Sequence, residues 1–397
     1  MELAMSIPHN LVTAVIRPAD IVHNYHVLNA LSGAVIPVVK ADAYGHGLFQ
    51  VTNALADEGV TTFAVGTVSE ARALREGGRA KKIIALLGPA TDNDYELLWA
   101  ADVIPFIHTF DQLDRLERVR ADALAARAAG SPEGSHGGVR AGEREMLSIA
   151  LKFDTGMRRL GFSPQDVPLL AGKLRQMKRV RLWMIASHLA TADEPRSVEY
   201  VREQEAEFAA IRKAFAQEGF APKACLANSA AILAYPGVHL DYQRGGIALY
   251  GCDPFYGTTM RDAGLGLKPA MSVKTTLLSV HPLKAGQSIS YGRTYTAPKD
   301  MTVAIAAVGY ADAYSRSLSG KARMCLRGRR APVLGRVCMQ MTAVDVTDIP
   351  GSAPGDDIWL LGGDGPGAVT PEELAGWWGT ITYEVFCLLG LNKREYV

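Results

Sequence analysis

A parallel (β/α)8 barrel followed by a mostly β domain, an α/β plus β architecture, is the fold that this sequence predicts. Three observations predict it. Up to about residue 265, short apolar runs alternate with amphipathic stretches, eight runs in all, and that count implies a closed parallel barrel rather than an open sheet. Beyond that point β-rich segments separated by Gly, Pro and Asp turns take over, and long helical patterns become scarce. The chain has 397 residues, 48% of them hydrophobic, which suits two domains rather than one. The predicted domains are 1–265 for the barrel and 266–397 for the β unit.

The first run, Ala34-Val35-Ile36-Pro37, reads as a buried parallel strand bounded by turn signals. The runs that follow are 62–66, 82–87, 103–108, 146–153, 182–188, 224–227 and 246–250. Helical stretches lie between them, such as 69–76, 111–126 and 198–218. The last carries Tyr200, Phe208, Ile211 and Phe215 at helical spacing. Residues 129–138 are glycine-rich without periodicity and read as a mobile surface loop. In the second domain the expected strands are 273–280, 303–308, 325–327 and 358–361.

Composition excludes several functions. A formal net charge of +1, with no basic block, gives no electrostatic support for nucleic acid or anionic membrane binding. The five cysteines are dispersed, without a CxxC pair or a Cys/His ligand cluster. That pattern fits a reducing compartment and argues against a zinc site or a disulfide framework. No metal site is expected. No run approaches the length of a membrane span, and the N-terminal residues lack a basic stretch followed by an apolar core. A cytoplasmic location is the expectation.

The chemistry centres on Val38-Val39-Lys40-Ala41-Asp42-Ala43-Tyr44-Gly45-His46-Gly47. A lysine closing a buried strand is costly unless paired or neutralised. Desolvation lowers its pKa and makes it a candidate nucleophile or Schiff-base former. Barrel sites form at the C-terminal strand ends, with phosphate often held after strands seven and eight. Asn228-Ser229 closes the seventh run, where Ser229 can donate from its hydroxyl. Gly245-Gly246-Ile247 is expected to open the eighth, where missing side chains let backbone amides approach an anion. Together with Lys40 they fit a phosphorylated cofactor held covalently.

The string around Lys40 closely resembles the pyridoxal phosphate lysine motif of alanine racemases, which usually has asparagine where this chain has Asp42. The resemblance extends over nearly the whole chain. Lys152-Phe153-Asp154-Thr155-Gly156-Met157-Arg158-Arg159-Leu160-Gly161 resembles the segment whose final arginine contacts substrate, which places Arg159. Ser187-His188-Leu189-Ala190-Thr191-Ala192-Asp193 resembles the segment with an active-site histidine, His188. Arg244-Gly245-Gly246-Ile247 resembles the segment whose arginine faces the cofactor ring nitrogen. In the second domain, Ser290-Tyr291-Gly292-Arg293 resembles the catalytic-tyrosine segment. Gly309-Tyr310-Ala311-Asp312, Gly335-Arg336-Val337-Cys338-Met339 and Thr382-Tyr383-Glu384 complete the pattern.

The resemblance implies interconversion of L- and D-alanine with pyridoxal 5'-phosphate, supplying D-alanine for peptidoglycan. Lys40 and Tyr291 are then the two bases, one for each face of the Cα. Lys40, Tyr44, His188, Ser229, Arg244, Gly246, Ile247 and Tyr383 hold the cofactor. Arg159 and Met339 meet the substrate, and Lys152 carries a carbamate. It also implies a homodimer in which Tyr291 of the second subunit completes the site. An arginine at the ring nitrogen cannot accept a proton, so the ring stays neutral and the electron sink weaker. That argues against a decarboxylase of similar architecture, which places a carboxylate there. A racemase of wider amino-acid scope is the alternative; a non-catalytic cofactor carrier would not need the β domain. The sequence departs from the family's pattern at Gln340, where aspartate is usual, in the 130–138 insertion, and in Asn392-Lys393-Arg394-Glu395-Tyr396-Val397.

Overall fold

The computed structural model describes residues 10–128, 146–264 and 266–397, with side chains of the helix end at 120–128 left aside. The glycine-rich stretch 129–138 lies outside the described residues.

The first strand, β1 (Thr13–Ile16), belongs to neither the predicted runs nor the barrel. The barrel strands are β2 (Val35–Pro37), β3 (Thr62–Val65), β4 (Lys82–Ala85), β5 (Val103–Ile107), β6 (Leu147–Lys152), β7 (Val180–Ala186), β8 (Lys223–Cys225) and β9 (Gln243–Gly245). Strands β3 to β8 form one parallel sheet in sequence order, and β2 pairs with β9. Parallel bridges at Val38–Ala64 and Cys225–Tyr242 join the two pieces at both seams and close the ring. These strands are short, apolar and buried on both sides, as a parallel sheet covered by helices requires. A helix follows each strand from β2 to β8, among them Leu48–Asp57, Val68–Gly77, Phe110–Ala128 and Val198–Gln217. Local chemistry fixes their starts: Thr67 and Glu70 make a reciprocal capping box at Val68–Gly77.

One predicted strand is wrong. Residues 246–250 do not form the eighth strand; Ile247–Tyr250 is a turn of 3-10 helix, and the strand is Gln243–Gly245. The Gly245-Gly246-Ile247 segment therefore leaves strand eight instead of opening it. A short, fully buried apolar run looks alike as strand or helix from periodicity, which is why the sequence misleads there.

The second sheet contains β10 (Met271–Leu283), β13 (Met301–Ala306), β14 (Arg323–Leu326), β15 (Arg329–Leu334), β16 (Thr342–Asp345), β17 (Asp357–Leu361) and β18 (Lys393–Tyr396), with β1 between β10 and β18. The long β10 also pairs with β13 and curls the sheet onto itself. A division at residue 265 puts β1 in the barrel unit, yet its four residues pair with Met271–Lys274 and Lys393–Tyr396. A small hairpin, β11 (Ser288–Ile289) with β12 (Tyr295–Thr296), stands out from this domain. Two short helices, Pro371–Trp378 and Thr382–Leu389, pack between the β sheet and the barrel mouth.

Candidate active site

Every barrel group predicted for the site lies at or just beyond the C-terminal end of a strand, where barrel sites form. Lys40 comes two residues after the Val38 bridge and opens a turn; it does not close the strand. Ala41, Asp42, Ala43 and Tyr44 all take φ between +52° and +54°. Each non-glycine residue in that region costs roughly 1–2 kcal/mol, so surrounding contacts must hold the turn. Tyr250 Oη donates to the Val38 carbonyl at 2.9 Å, and the Ala41 amide donates to Glu70 Oε1 at 2.7 Å. Burial, then the Arg159 cation, lower the Lys40 pKa.

Arg244, on β9, is buried at 6% exposure. Its guanidinium donates to Ser187 O at 2.6 Å, to His188 Nδ1 at 3.2 Å, and to Cys225 O and Sγ at 3.3 and 2.9 Å. Among the described residues no carboxylate pairs with it, so its charge spreads to its neighbours. Burial and then Arg244 hold His188 well below the usual histidine value. The same two causes, in the same order, bring Lys152 down to about 7. The Lys152 ammonium donates to Phe153 O at 3.0 Å.

On the other side of the mouth, Ser229 Oγ accepts from the amides of Gly246 at 2.9 Å and Ala248 at 3.3 Å. Its own proton is left to donate elsewhere. A Cβ at Gly246 would come within 3.0 Å of Tyr44 Oη and 3.6 Å of Ser229 Oγ. Only glycine leaves this cradle open, and two hydroxyls converge on it, as a phosphate requires. Ile247 follows in the buried turn. Tyr44 is stacked between Tyr250 and Tyr383, with ring centroids 4.7 and 5.8 Å away. Tyr383, carried by the helix Thr382–Leu389, thus brings the second domain to the site. The residues present fit a phosphorylated, lysine-bound cofactor.

Two predicted residues do not join this cluster. Tyr291 sits at the tip of the β11–β12 hairpin, 70% exposed, and Met339 is 57% exposed. Among the described residues the Tyr291 hydroxyl has no hydrogen-bond partner. Arg159 lies in the loop after β6, near enough to lower the pKa values of Lys40, Lys152 and His188. That loop is shaped by Asp154, which accepts from the amides of Gly156 and Arg158.

Sequence reasoning missed three contributors. Gln204 is fully buried and donates to His188 O at 3.0 Å and Thr155 Oγ1 at 3.3 Å, while its Oε1 accepts from the Ala190 amide at 2.9 Å. It ties the His188 and Arg159 loops together. Its signal was a polar residue on the apolar face of the helix Val198–Gln217. Cys225 supports Arg244, and Cys387 lies close enough to Lys40 for each to shift the other. Neither has a motif that marks it.

A lysine in a strained turn, an arginine–histidine pair and an anion cradle in one barrel mouth define a barrel-plus-β protein fitted to hold a phosphorylated cofactor on a lysine. Family comparison agrees: the N-terminal domain of alanine racemase matches residues 16–254, and its C-terminal domain matches residues 270–396. The chain belongs to the alanine racemase family. It is 50% identical over 392 residues to the alanine racemase of Nitratidesulfovibrio vulgaris strain Miyazaki F, covering 99% of this chain and 100% of that protein. It is 35% identical to the alanine racemase of Sorangium cellulosum, covering 96% and 97% of the two chains. Among solved structures, the alanine racemase of D-cycloserine-producing Streptomyces lavendulae superposes with a TM-score of 0.85 at 30% identity, covering 98% and 97% of the two chains. The alanine racemase of Bartonella henselae, solved with covalently bound pyridoxal phosphate, gives 0.80 at 25% identity, covering 98% and 100%. Among the described residues no helix is long and apolar enough to cross a membrane.

Proposed function

We propose that this protein interconverts L-alanine and D-alanine with pyridoxal 5'-phosphate at Lys40, as a homodimer, and so feeds D-alanine to peptidoglycan synthesis. The observation that carries it is the convergence of Lys40, the Tyr44–Ser229–Gly246 cradle and the Arg244–His188 pair in one barrel mouth. The five cysteines are free, which supports a reducing, cytoplasmic setting.

Lys40 would hold the cofactor through Nζ, and the Tyr44 and Ser229 hydroxyls with the Ile247 amide would hold its phosphate in the opening that Gly246 leaves, with Tyr383 packed behind Tyr44. When bound, pyridoxal phosphate supplies the electron sink that makes the α-proton of an amino acid removable. Arg244 would meet the ring nitrogen and, being always protonated, could neither take a proton from it nor give one up at neutral pH. His188 accepts from Arg244 at Nδ1 and keeps its proton on Nε2. Once the substrate's amine has taken its place on the cofactor, the freed Lys40 amine, its pKa lowered by burial and Arg159, would take or return the α-proton on one face. The second subunit's Tyr291 serves the opposite face, which its exposure on a projecting hairpin supports. Arg159 orients the substrate carboxylate, and Met339, exposed like Tyr291, reaches the substrate from the second subunit. Lys152, with its pKa near 7, is the amine that carries the carbamate.

The test combines an absorbance spectrum of the purified protein with a chirality assay on a panel of L-amino acids. The expected result is a band at the visible edge and D-alanine formed from L-alanine. A cofactor-loaded protein that leaves L-alanine unchanged would overturn the proposal, and turnover of larger side chains would point to the wider-scope alternative.

A further inference from the structure

The turn that presents Lys40 and Tyr44 holds four consecutive left-handed residues, Ala41 to Tyr44, none of them glycine. Such a run persists only where its surroundings over-determine it. From the barrel comes the Glu70 carboxylate, which accepts from the Ala41 amide. Further ties come from the far end of the chain. The Asp42 carboxylate accepts from the Leu48 amide at 2.7 Å with one oxygen and is ion-paired with Arg394 through the other. Arg394 is itself fixed by donating from Nε to Gly390 O at 2.8 Å, and its strand β18 is locked into the sheet by β1. Gly45 and Gly390 pack backbone to backbone, with no room for a Cβ at either. The Tyr396 hydroxyl closes over Gly47, where a Cβ would collide with it.

We propose that Asp42 and Arg394 are positioning residues: the C-terminal strand is a strap that holds the Lys40 turn in its left-handed shape. The strap rests on the cofactor reading above for its purpose, because a turn that is correctly shaped only part of the time binds the cofactor more weakly by that fraction. Neither residue touches the reacting atoms. Their effect runs through the orientation of Lys40 and Tyr44.

The experiment uses the full chain as Arg394→Met, Arg394→Lys and Asp42→Asn, stripped of cofactor. Two readouts are taken: amide hydrogen exchange of the peptide spanning residues 40–47, and affinity for added pyridoxal phosphate. Arg394→Met and Asp42→Asn are expected to speed exchange in that peptide, leave β5 to β7 protected, and weaken affinity about tenfold. Arg394→Lys keeps the charge and should recover most of both. Asp42→Asn keeps an acceptor for the Leu48 amide, so its effect isolates the ion pair from helix capping. Native exchange and native affinity in Arg394→Met would overturn the strap. If that variant loses protection throughout the barrel, Arg394→Lys and Asp42→Asn decide, and native behaviour of Asp42→Asn overturns the proposal. A native protein that fails to bind pyridoxal phosphate would instead sink the functional reading, while the exchange pattern would still report on the strap.

Discussion

The Arg244 guanidinium donates to Nδ1 of His188 across 3.2 Å, and this fixes the histidine as a neutral ring with its proton on Nε2. Arginine offers no acceptor, so a doubly protonated His188 would lose this bond and add a second buried cation beside the first. The pair therefore presents one permanent charge and one outward N–H. Lys152 and Arg159 stand close enough to press on the same histidine, and the Arg244 charge has no carboxylate partner among the described residues.

Acid stability follows from the histidines. Burial takes His46 down to about 4, and burial with Arg244 takes His188 well below its ordinary value. Below an unfolded value of about 6.5 the unfolded chain binds protons that the native protein refuses. Stability is thus complete above that pH and falls as the pH drops towards 4. For His46 the loss across this window is on the order of 3 kcal/mol. Urea midpoints at a series of pH values should show it, and His46→Phe should flatten part of the slope. An unaltered slope in that variant would contradict the assignment.

Gln204→Ala should destabilise the protein and slow it. The substitution strips the Gln204 partner from the part-buried Ala190 amide and His188 carbonyl, while Thr155 Oγ1 keeps Ser187 Oγ at 2.8 Å; a buried polar group left unpaired costs about 1–3 kcal/mol. Because the loops bearing His188 and Arg159 lose their common tie, kcat is expected to fall together with the melting temperature. A native melting temperature in the variant would show that the glutamine holds nothing together.

What was legible in the sequence was the costly and the periodic. A lysine at the end of a buried apolar run stands out because burying a charge needs a reason, and eight apolar runs announce a barrel, whereas Arg244, just ahead of the expected eighth strand, was legible by resemblance alone. Gln204 was illegible because a lone polar residue on an apolar helix face looks like a fault in the pattern. The eighth strand was misplaced because Ile247–Tyr250 is buried on all sides, which erases the difference between periods. Strands β1 and β18 escaped notice for another reason: their pairing spans the whole chain, and no local pattern encodes a partner that distant. Tyr291 was legible by resemblance alone, since nothing around it in its own chain completes a site.

Lys152 should take up carbon dioxide in a pH-dependent way. With its pKa brought down to about 7, a large share of the amine is neutral at physiological pH, and only the neutral form adds CO2. The nitrogen bonds to carbon and loses one proton, leaving an anion that offsets the Arg244 and Arg159 charges. Intact mass measured in bicarbonate above that pH should show one added CO2 unit, lost on acidification as the amine protonates, and absent in Lys152→Met. A free amine at mildly alkaline pH in bicarbonate would count against the carbamate.

Mixed dimers distinguish whether Tyr291 works in its own chain or in its partner's. Lys40→Ala removes the group that holds the cofactor, and Tyr291→Phe removes the opposing base; each alone should lower activity at least about a hundredfold. If the partner subunit's Tyr291 completes the site, a dimer with one chain of each variant contains one site with both native residues and one with neither. Dissociating and reassembling equal amounts makes about half of the dimers mixed, so about a quarter of all sites should recover. If Tyr291 served its own chain, every site in every dimer would lack one of the two groups. Activity near a quarter of native, appearing only after exchange of subunits, is the expected result; no recovery, with mixed dimers demonstrated by mass, would refute the arrangement.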